Sequence, residues 1–187
     1  MQRTLLGTDL LINQKPNQAF NLDTILLADF IKVPARTKTL LDFGTGAGAL
    51  MLYMSKKTKA KITGIEIQSE RYEKALSNVE LNHLNERLSC VMRDVRELEI
   101  KNSDVIISNP PFFKVSEKGN VNETEDETIA RHEVMLTLEE LLSSVAKCLK
   151  FGGHFFMIHR PDRFAEIVSE MNKYQLEIKR VRFVHPY

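Results

Sequence analysis

The stretch Asn109-Pro110-Pro111-Phe112 holds residue types suited to chemistry on a flat nitrogen. It follows the β-branched run Val105, Ile106 and Ile107, so it leaves the end of a buried strand. Two prolines donate no backbone N–H and hold φ at about −65°. Pro110 also keeps Asn109 out of the α region. The product is a rigid, acceptor-rich backbone with a carboxamide in front and the rings of Phe112 and Phe113 behind. The amine of a purine, or an amide nitrogen, delocalises its lone pair into a π system. To attack a methyl group, that pair must localise out of the plane. Two acceptors facing the two N–H bonds favour this: the Asn109 side-chain oxygen and the Pro110 carbonyl. They hold the amine in line and stabilise charge developing on nitrogen. Phe112 can stack on the target ring, a contribution of roughly 1–3 kcal/mol for a nucleobase. The chemistry these residues suit is methyl transfer from a sulfonium to a planar amine.

A second set of groups lies upstream. In "DFGTGAGA" stand Asp42, Gly44, Gly46 and Gly48. Glycines there allow tight turns and a close ligand approach, and the helix that follows offers free N–H groups to an anion. Glu66 is a carboxylate suited to gripping two ribose hydroxyls, and Asp94 can accept from an adenine amine. Gly44, Gly46 and Ala49 also fit the dinucleotide pattern G-x-G-x-x-A, with Glu66 near the expected ribose position. The loop alone therefore leaves NAD open. The Asn-Pro-Pro-Phe stretch decides against it, because hydride transfer asks for no such group.

Elements must place these residues at one edge. Short apolar runs predict strands over 39–43, 61–66, 88–92, 105–108, 154–159 and 176–185. Helices are expected over 47–57, over 69–82 with Ser69 as cap, over 137–150, and over 161–173. Thr137 with Glu140 three residues on reads as a capping box, and Phe151-Gly152-Gly153 as that helix's stop. Alternating strands and helices mean an α/β, doubly wound parallel sheet. Such sheets bind ligands at the carboxyl ends of their strands, where Asp42, Glu66, Asp94 and Asn109 all fall. Residues 1–187 read as a single domain. Residues 1–38 form an N-terminal segment covering the ligand site, and 115–130 an acidic, mobile loop.

Composition narrows the classes. With 187 residues, 43% apolar and 27% charged, the chain can bury a sizeable core and is not globally disordered. A net charge of +1 announces neither nucleic acid nor membrane. No apolar run is long enough for a membrane span, and residues 1–10 lack a signal-peptide core. Cys90 and Cys148 read as reduced core thiols, which suits a cytoplasmic protein. No His/Cys/Asp grouping has metal-ligand spacing.

The motifs "LLDFGTGAG", "GIEIQ", "RDVREL" and "NPPFF" resemble those of S-adenosylmethionine-dependent amino-methyltransferases with a Rossmann-like fold. With "FNLDTILLADF", "ARHE", "HRPDR" and "KRVRFVHP", nearly the whole chain resembles the bacterial family that methylates the 6-amino group of adenine 37 in valine tRNA. The resemblance implies S-adenosyl-L-methionine as cofactor. Asp42, Gly44, Thr45, Gly46 and Gly48 would line its methionine side. Glu66 and Ile67 would hold its ribose, Asp94 and Val95 its adenine end. Phe20, Asp23 and Thr24 match the segment that closes over the cofactor in related enzymes, and Asn109 borders it. Asn109, Pro110, Pro111 and Phe112 would bind the target base. Enzymes of this kind usually carry a seventh, antiparallel strand beside the fifth, which this chain, ending just after 176–185, is expected to lack. An edge with Val181, Phe183 and Val184 would then lie uncovered and invite self-association.

The tRNA partner has candidate contacts in Arg131, His132, Arg160, Arg163, Lys179 and Arg180. Each has a plainer reading as a surface charge or a loop anchor, and the acids of 117–127 weigh mildly against nucleic acid. Two alternatives stand beside the tRNA reading. One is an amino-methyltransferase for rRNA guanine or protein glutamine, since NPPF serves any planar amine. The other is a non-catalytic RNA-binding module, against which the intact Asp42, Glu66, Asp94 and Asn109 argue.

Overall fold

The central strands are apolar on both faces, and that pattern dictates helices above and below a parallel sheet. In the computed structural model, residues 2–14, 22–110 and 136–185 are described. In chain order the elements are β1 (Gln2–Thr4), β2 (Leu11–Asn13), α1 (Leu22–Phe30), β3 (Thr39–Phe43) and α2 (Ala49–Lys57). Then come β4 (Lys61–Glu66), α3 (Ser69–Leu81), β5 (Leu88–Met92) and β6 (Ser103–Ser108). After 111–135 follow α4 (Leu138–Cys148), β7 (Leu149–Met157) and α5 (Phe164–Lys173). Single 3₁₀ turns cover Val95–Glu97 and Pro161–Arg163.

The main sheet has the order β5-β4-β3-β6-β7, and every pairing is parallel. Period-two alternation sends Leu40, Ile62, Val105 and Ile107 to one face, where they meet Leu27, Leu50, Met54 and Val79 of α1, α2 and α3. Leu41, Phe43, Ile65 and Ile106 face the other way, onto Leu141, Val145 and Cys148 of α4. The sheet is therefore doubly wound. The strands β3, β4 and β5 lie where the sequence pattern sets them, and the Thr137–Glu140 capping box on α4 is formed in full.

Four expectations need correction. The helix expected over 137–150 stops at Cys148, because Leu149 pairs with Ser103 and Lys150 forms an ion pair with Asp104. Phe151-Gly152-Gly153 does not end a helix. It forms a bulge within β7, where Ser103 pairs Leu149 but Val105 pairs His154. Ser69 is the first residue of α3 rather than its cap, a position held by Gln68. Residues 176–185 form no strand. Their apolar alternation is spent elsewhere: Leu176 fills the gap beneath α4 and α5, and Phe183 meets Phe164 edge-on at 5.5 Å. The guanidinium of Arg180 lies 4.0 Å above the Phe30 ring, and Arg182 pairs with Asp29 at 2.7 Å. The segment is a strap across α1. Among the described residues β7, not this segment, is the sheet edge.

The N-terminal residues hold structure that the sequence reading did not anticipate. β1 and β2 pair antiparallel and bury Leu5, Leu10 and Ile12 in the first core. The other edge of β2 pairs with side chains. Asn78 accepts from the Asn13 N–H at 2.7 Å and donates to the Asn13 carbonyl at 3.1 Å. Asn82 does the same for Leu11, at 2.8 and 2.7 Å. A carboxamide is a peptide group without the chain, so each asparagine stands in for a strand residue. The register works because four helical residues rise about 6 Å and two strand residues about 6.6 Å.

Candidate active site

β3 ends in the turn that carries the glycines. Gly48 has φ 83° and caps α2, and a Cβ there would stand 3.4 Å from Met51 and 3.5 Å from Ala75. Left-handed backbone against a helix is a place for glycine. The turn is held from β4. Gly44 and Thr45 both donate to the Ile65 carbonyl, at 2.9 and 3.0 Å. Gly64 makes that closeness possible, because a Cβ on it would fall 2.5 Å from Met51 Sδ and 2.7 Å from Thr45 Cγ2. The sequence reading passed over Gly64, although a glycine inside a strand signals a close approach of another chain segment.

Glu66 ends β4 and is 5% exposed. One carboxylate oxygen accepts from the Gly46 N–H at 2.9 Å, the other from the Gln68 N–H at 3.0 Å. It therefore stitches the glycine turn to the start of α3 while each oxygen keeps acceptor capacity for a further hydroxyl. Asn78 reaches the same turn from behind, donating to the Ala47 carbonyl at 2.9 Å. This contact ties the N-terminal hairpin to the glycine turn.

Asp42 is 1% exposed. Burial pushes its carboxyl up to about 7, and the charge of Glu66 adds to that, while hydrogen bonds from the Thr45 hydroxyl at 2.7 Å and the Met51 N–H oppose it. Burial, then the charges of Asp42 and Glu66, push the Cys90 thiol up to about 12, so it stays protonated.

Asp94 follows β5 and caps the 3₁₀ turn, accepting from the Arg96 N–H at 2.8 Å and from its guanidinium at 2.5–3.0 Å. Burial alone would raise the Asp94 carboxyl; the Arg96 hydrogen bonds outweigh it and hold it below its ordinary value. Arg96 also reaches Glu140 on α4 at 3.1 Å. The sequence reading missed this arginine, which occupies Asp94 from the protein side. Val95 beside it is buried, and Ile67 after β4 is 37% exposed.

Asn109 leaves β6 at the same edge, half-buried, and Pro110 after it is buried. Ser108 gives its hydroxyl to the Phe43 carbonyl at 2.9 Å, locking the end of β6 to β3. The Asn109 Nδ2 donates to the Thr24 hydroxyl at 3.0 Å. Thr24, on α1 beside Asp23, is 6% exposed. Asp42, Glu66, Asp94 and Asn109 thus gather at the carboxyl ends of β3, β4, β5 and β6, where open α/β sheets take ligands.

Phe20, Pro111, Phe112, Arg131 and His132 lie outside the described residues, as do 115–130. Of the cations considered for RNA, Arg160 is paired with Asp162 at 2.9 Å, Arg163 with Glu166, and Lys179 with Glu177. Arg180 donates to the Phe30 carbonyl. Among the described residues no helix is long and apolar enough to cross a membrane.

Comparison with known proteins agrees with this fold. The family model described as "Methyltransferase small domain" matches residues 17–181. The tRNA1(Val) (adenine(37)-N6)-methyltransferase of Cytophaga hutchinsonii is 30% identical over 162 residues, covering 84% of this chain and 66% of that protein. The protein of the same name from Bacteroides fragilis YCH46 is 31% identical, covering 81% of this chain and 65% of its own. The chain thus spans about two thirds of the length of these curated relatives. Among solved structures, a protein described as an O-methyltransferase from Agrobacterium tumefaciens superposes with a TM-score of 0.61 at 22% identity, covering 80% of this chain and 67% of that one. Geranyl diphosphate C-methyltransferase of Streptomyces coelicolor, solved with S-adenosyl-L-homocysteine, gives 0.55 at 13% identity, covering 83% and 53%. At these identities the two structures speak for the fold.

Proposed function

The chain belongs to the methyltransferase small domain family, and from that premise we propose that it methylates the exocyclic 6-amine of an adenine in RNA, adenine 37 of a valine tRNA. The carrying observation is Asn109: its amide nitrogen is engaged by Thr24 at 3.0 Å, which leaves its oxygen to accept from a target amine at the sheet edge. The cofactor is S-adenosyl-L-methionine, whose bound form supplies a methyl group on a sulfonium. The residues present fit it. Glu66 keeps acceptor capacity for a ribose diol, and the turn Asp42–Gly48 offers a left-handed, side-chain-poor backbone for close approach. The Asp94 carboxylate and Val95 would border the adenine ring, with Asp23 and Thr24 on the covering side.

In this reading Asn109 Oδ1 and the Pro110 carbonyl accept the two N–H hydrogens of the amine. They turn its lone pair out of the ring plane and stabilise the positive charge that grows on nitrogen. Phe112 stacks on the base, which offsets part of the cost of drawing it out of its stack. The chain acts as one catalytic domain. Arg160, just past the carboxyl end of β7, Arg163 and Lys179 are candidate contacts to the RNA backbone, at the expense of their present ion pairs, as are Arg180 of the strap and, from the sequence, Arg131 and His132. The outer edge of β7 is a place for self-association.

The names of the relatives favour tRNA over rRNA or protein glutamine as the amine donor. The test is incubation of the protein with labelled cofactor and unmodified tRNA, followed by nucleoside mass spectrometry. 6-Methyladenosine at the anticodon-loop position is expected. Label appearing on guanosine or on protein, and not on adenosine, would sink the substrate assignment while sparing the amine chemistry.

A further inference from the structure

An asparagine can present either an oxygen or an NH2 group by turning its amide over. Only the oxygen serves an amine, because an NH2 facing an amine sets donor against donor. At the end of β6, Ser108 does not help to choose, since its hydroxyl is spent on the Phe43 carbonyl at 2.9 Å. The contact that anchors the Asn109 carboxamide comes from Thr24, 85 residues earlier in the chain, whose hydroxyl accepts from Nδ2 and leaves the oxygen end to the amine.

Thr24 is well placed to hold the carboxamide in that arrangement. It is 6% exposed, so bulk water does not readily replace its hydroxyl. It rides on α1, whose last carbonyls are gripped from two sides. Lys57, at the end of α2, donates to the carbonyls of Ala28 and, at 3.2 Å, Ile31. Arg180 of the strap donates to the carbonyl of Phe30. Cations at a helix C-terminus also complement its dipole. The helix is thus fixed independently of the ligand site, and its threonine meets Asn109 as a set point.

We infer that Thr24 is a positioning residue for the methyl transfer, which holds the Asn109 amide with its oxygen toward the target amine. The inference rests on the amine-methyltransferase reading above. It assigns Thr24 a role through Asn109, distinct from simple cover over the cofactor.

The experiment is single-turnover methylation of tRNA with labelled cofactor, alongside calorimetry of S-adenosyl-L-homocysteine binding. Thr24→Val keeps the shape and removes the acceptor. Its methylation rate is expected to fall about tenfold, with homocysteine affinity, to which Thr24 contributes as cover, falling by no more than about threefold. Thr24→Ser, which keeps the hydroxyl, is expected within about threefold of the parent rate. In an Asn109→Ala background, Thr24→Val is expected to cost nothing further, since a residue acting only through its partner loses its effect with it. Three results overturn the inference: a Thr24→Val rate equal to the parent's, loss of cofactor affinity in step with rate, or an undiminished effect in the Asn109→Ala background. A parent protein that transfers no label to any amine would instead sink the underlying reading.

Discussion

The two halves of the sheet meet at β3 and hold their site residues by different means. On the β3-β4-β5 side each strand-end carboxylate is tied to a neighbour close in the chain. Asp42 takes the Thr45 hydroxyl, Glu66 the Gln68 N–H, and Asp94 the Arg96 N–H, all within three residues. On the β6-β7 side the site residue is oriented from a distance. Asn109 depends on Thr24, and the helix under Thr24 depends in turn on Lys57 and on the strap at Arg180. The first half is a cradle whose carboxylates are set by local contacts. The second is assembled by the tertiary fold. The difference suits a division between holding a constant cofactor and presenting a substrate amine.

The sharpest way to break that division is to empty each half in turn. Asn109→Ala removes the proposed transition-state acceptor and leaves the glycine turn intact. Methylation should fall by about 10²–10³-fold, while S-adenosyl-L-homocysteine affinity changes by less than about twofold. Glu66→Ala should do the converse, weakening affinity for the homocysteine product by about tenfold or more, since it removes the proposed ribose carboxylate and loosens the Gly46 turn. Calorimetry and single-turnover rates on both variants would decide. A proportional loss of both quantities in both variants would show that the halves are not separable.

The hairpin offers a second cut. Asn78 is 0% exposed and makes three hydrogen bonds, to both polar groups of Asn13 and to the Ala47 carbonyl. Asn78→Ala strands those backbone groups in the core and should cost about 3 kcal/mol in urea unfolding. Asn82 pairs with Leu11 but does not touch the glycine turn. Asn82→Ala should therefore destabilise without changing product affinity, whereas Asn78→Ala should weaken it. Equal affinities in the two variants would cut the link between hairpin and cradle.

How much of this was legible follows the same divide. Residues 39–108 were readable nearly to the residue, because the signals there are local: short β-branched runs, glycines at turns, a carboxylate at each strand end. Gly64 was available as a signal and went unread. Asn78 and Asn82 stand four apart on a helix, a spacing that shows a shared face but not the strand they would imitate. The link from Asn109 to Thr24 leaves no mark in the sequence near either residue. At the other end, Gly152 and Gly153 look like a helix stop and serve a strand bulge, and the alternation of Val181 and Phe183 looks like a strand and serves a strap. Local pattern cannot say whether a neighbouring edge has room for pairing.

Asp42 tests the cradle by pH. Its carboxyl is raised from 3.8 to about 7 in the fold, first by burial and then by Glu66. Between those values the folded chain holds a proton that the unfolded chain has lost. The group's contribution to stability is therefore whole below 3.8 and is lost as pH rises toward 7. Asp42→Asn has no such titration. Its stability relative to the parent should rise by about 2–3 kcal/mol between pH 5 and pH 8. Parallel pH profiles for the two proteins would mean that Asp42 is ionised throughout, and that the cradle carries two buried charges rather than one.

The strap should give the smallest effect, and its size separates two structures. Phe183 is 55% exposed and touches Phe164 only edge-on. Its truncation in Phe183→Ala should cost less than about 1 kcal/mol and leave both product affinity and methylation rate unchanged. A sixth sheet strand over 176–185 would behave otherwise: its apolar residues would sit against helices on a sheet face, and removal of a phenylalanine there costs about 3–5 kcal/mol. Arg180 provides the internal control. It lies in the same segment, 4.0 Å from the Phe30 ring, at the end of the helix that carries Thr24. Arg180→Ala should lower the methylation rate slightly while Phe183→Ala does not, because the first both loosens α1 and removes a proposed RNA contact. Thermal unfolding and single-turnover rates on the pair would measure this. A large loss of stability from Phe183→Ala would return the segment to the sheet.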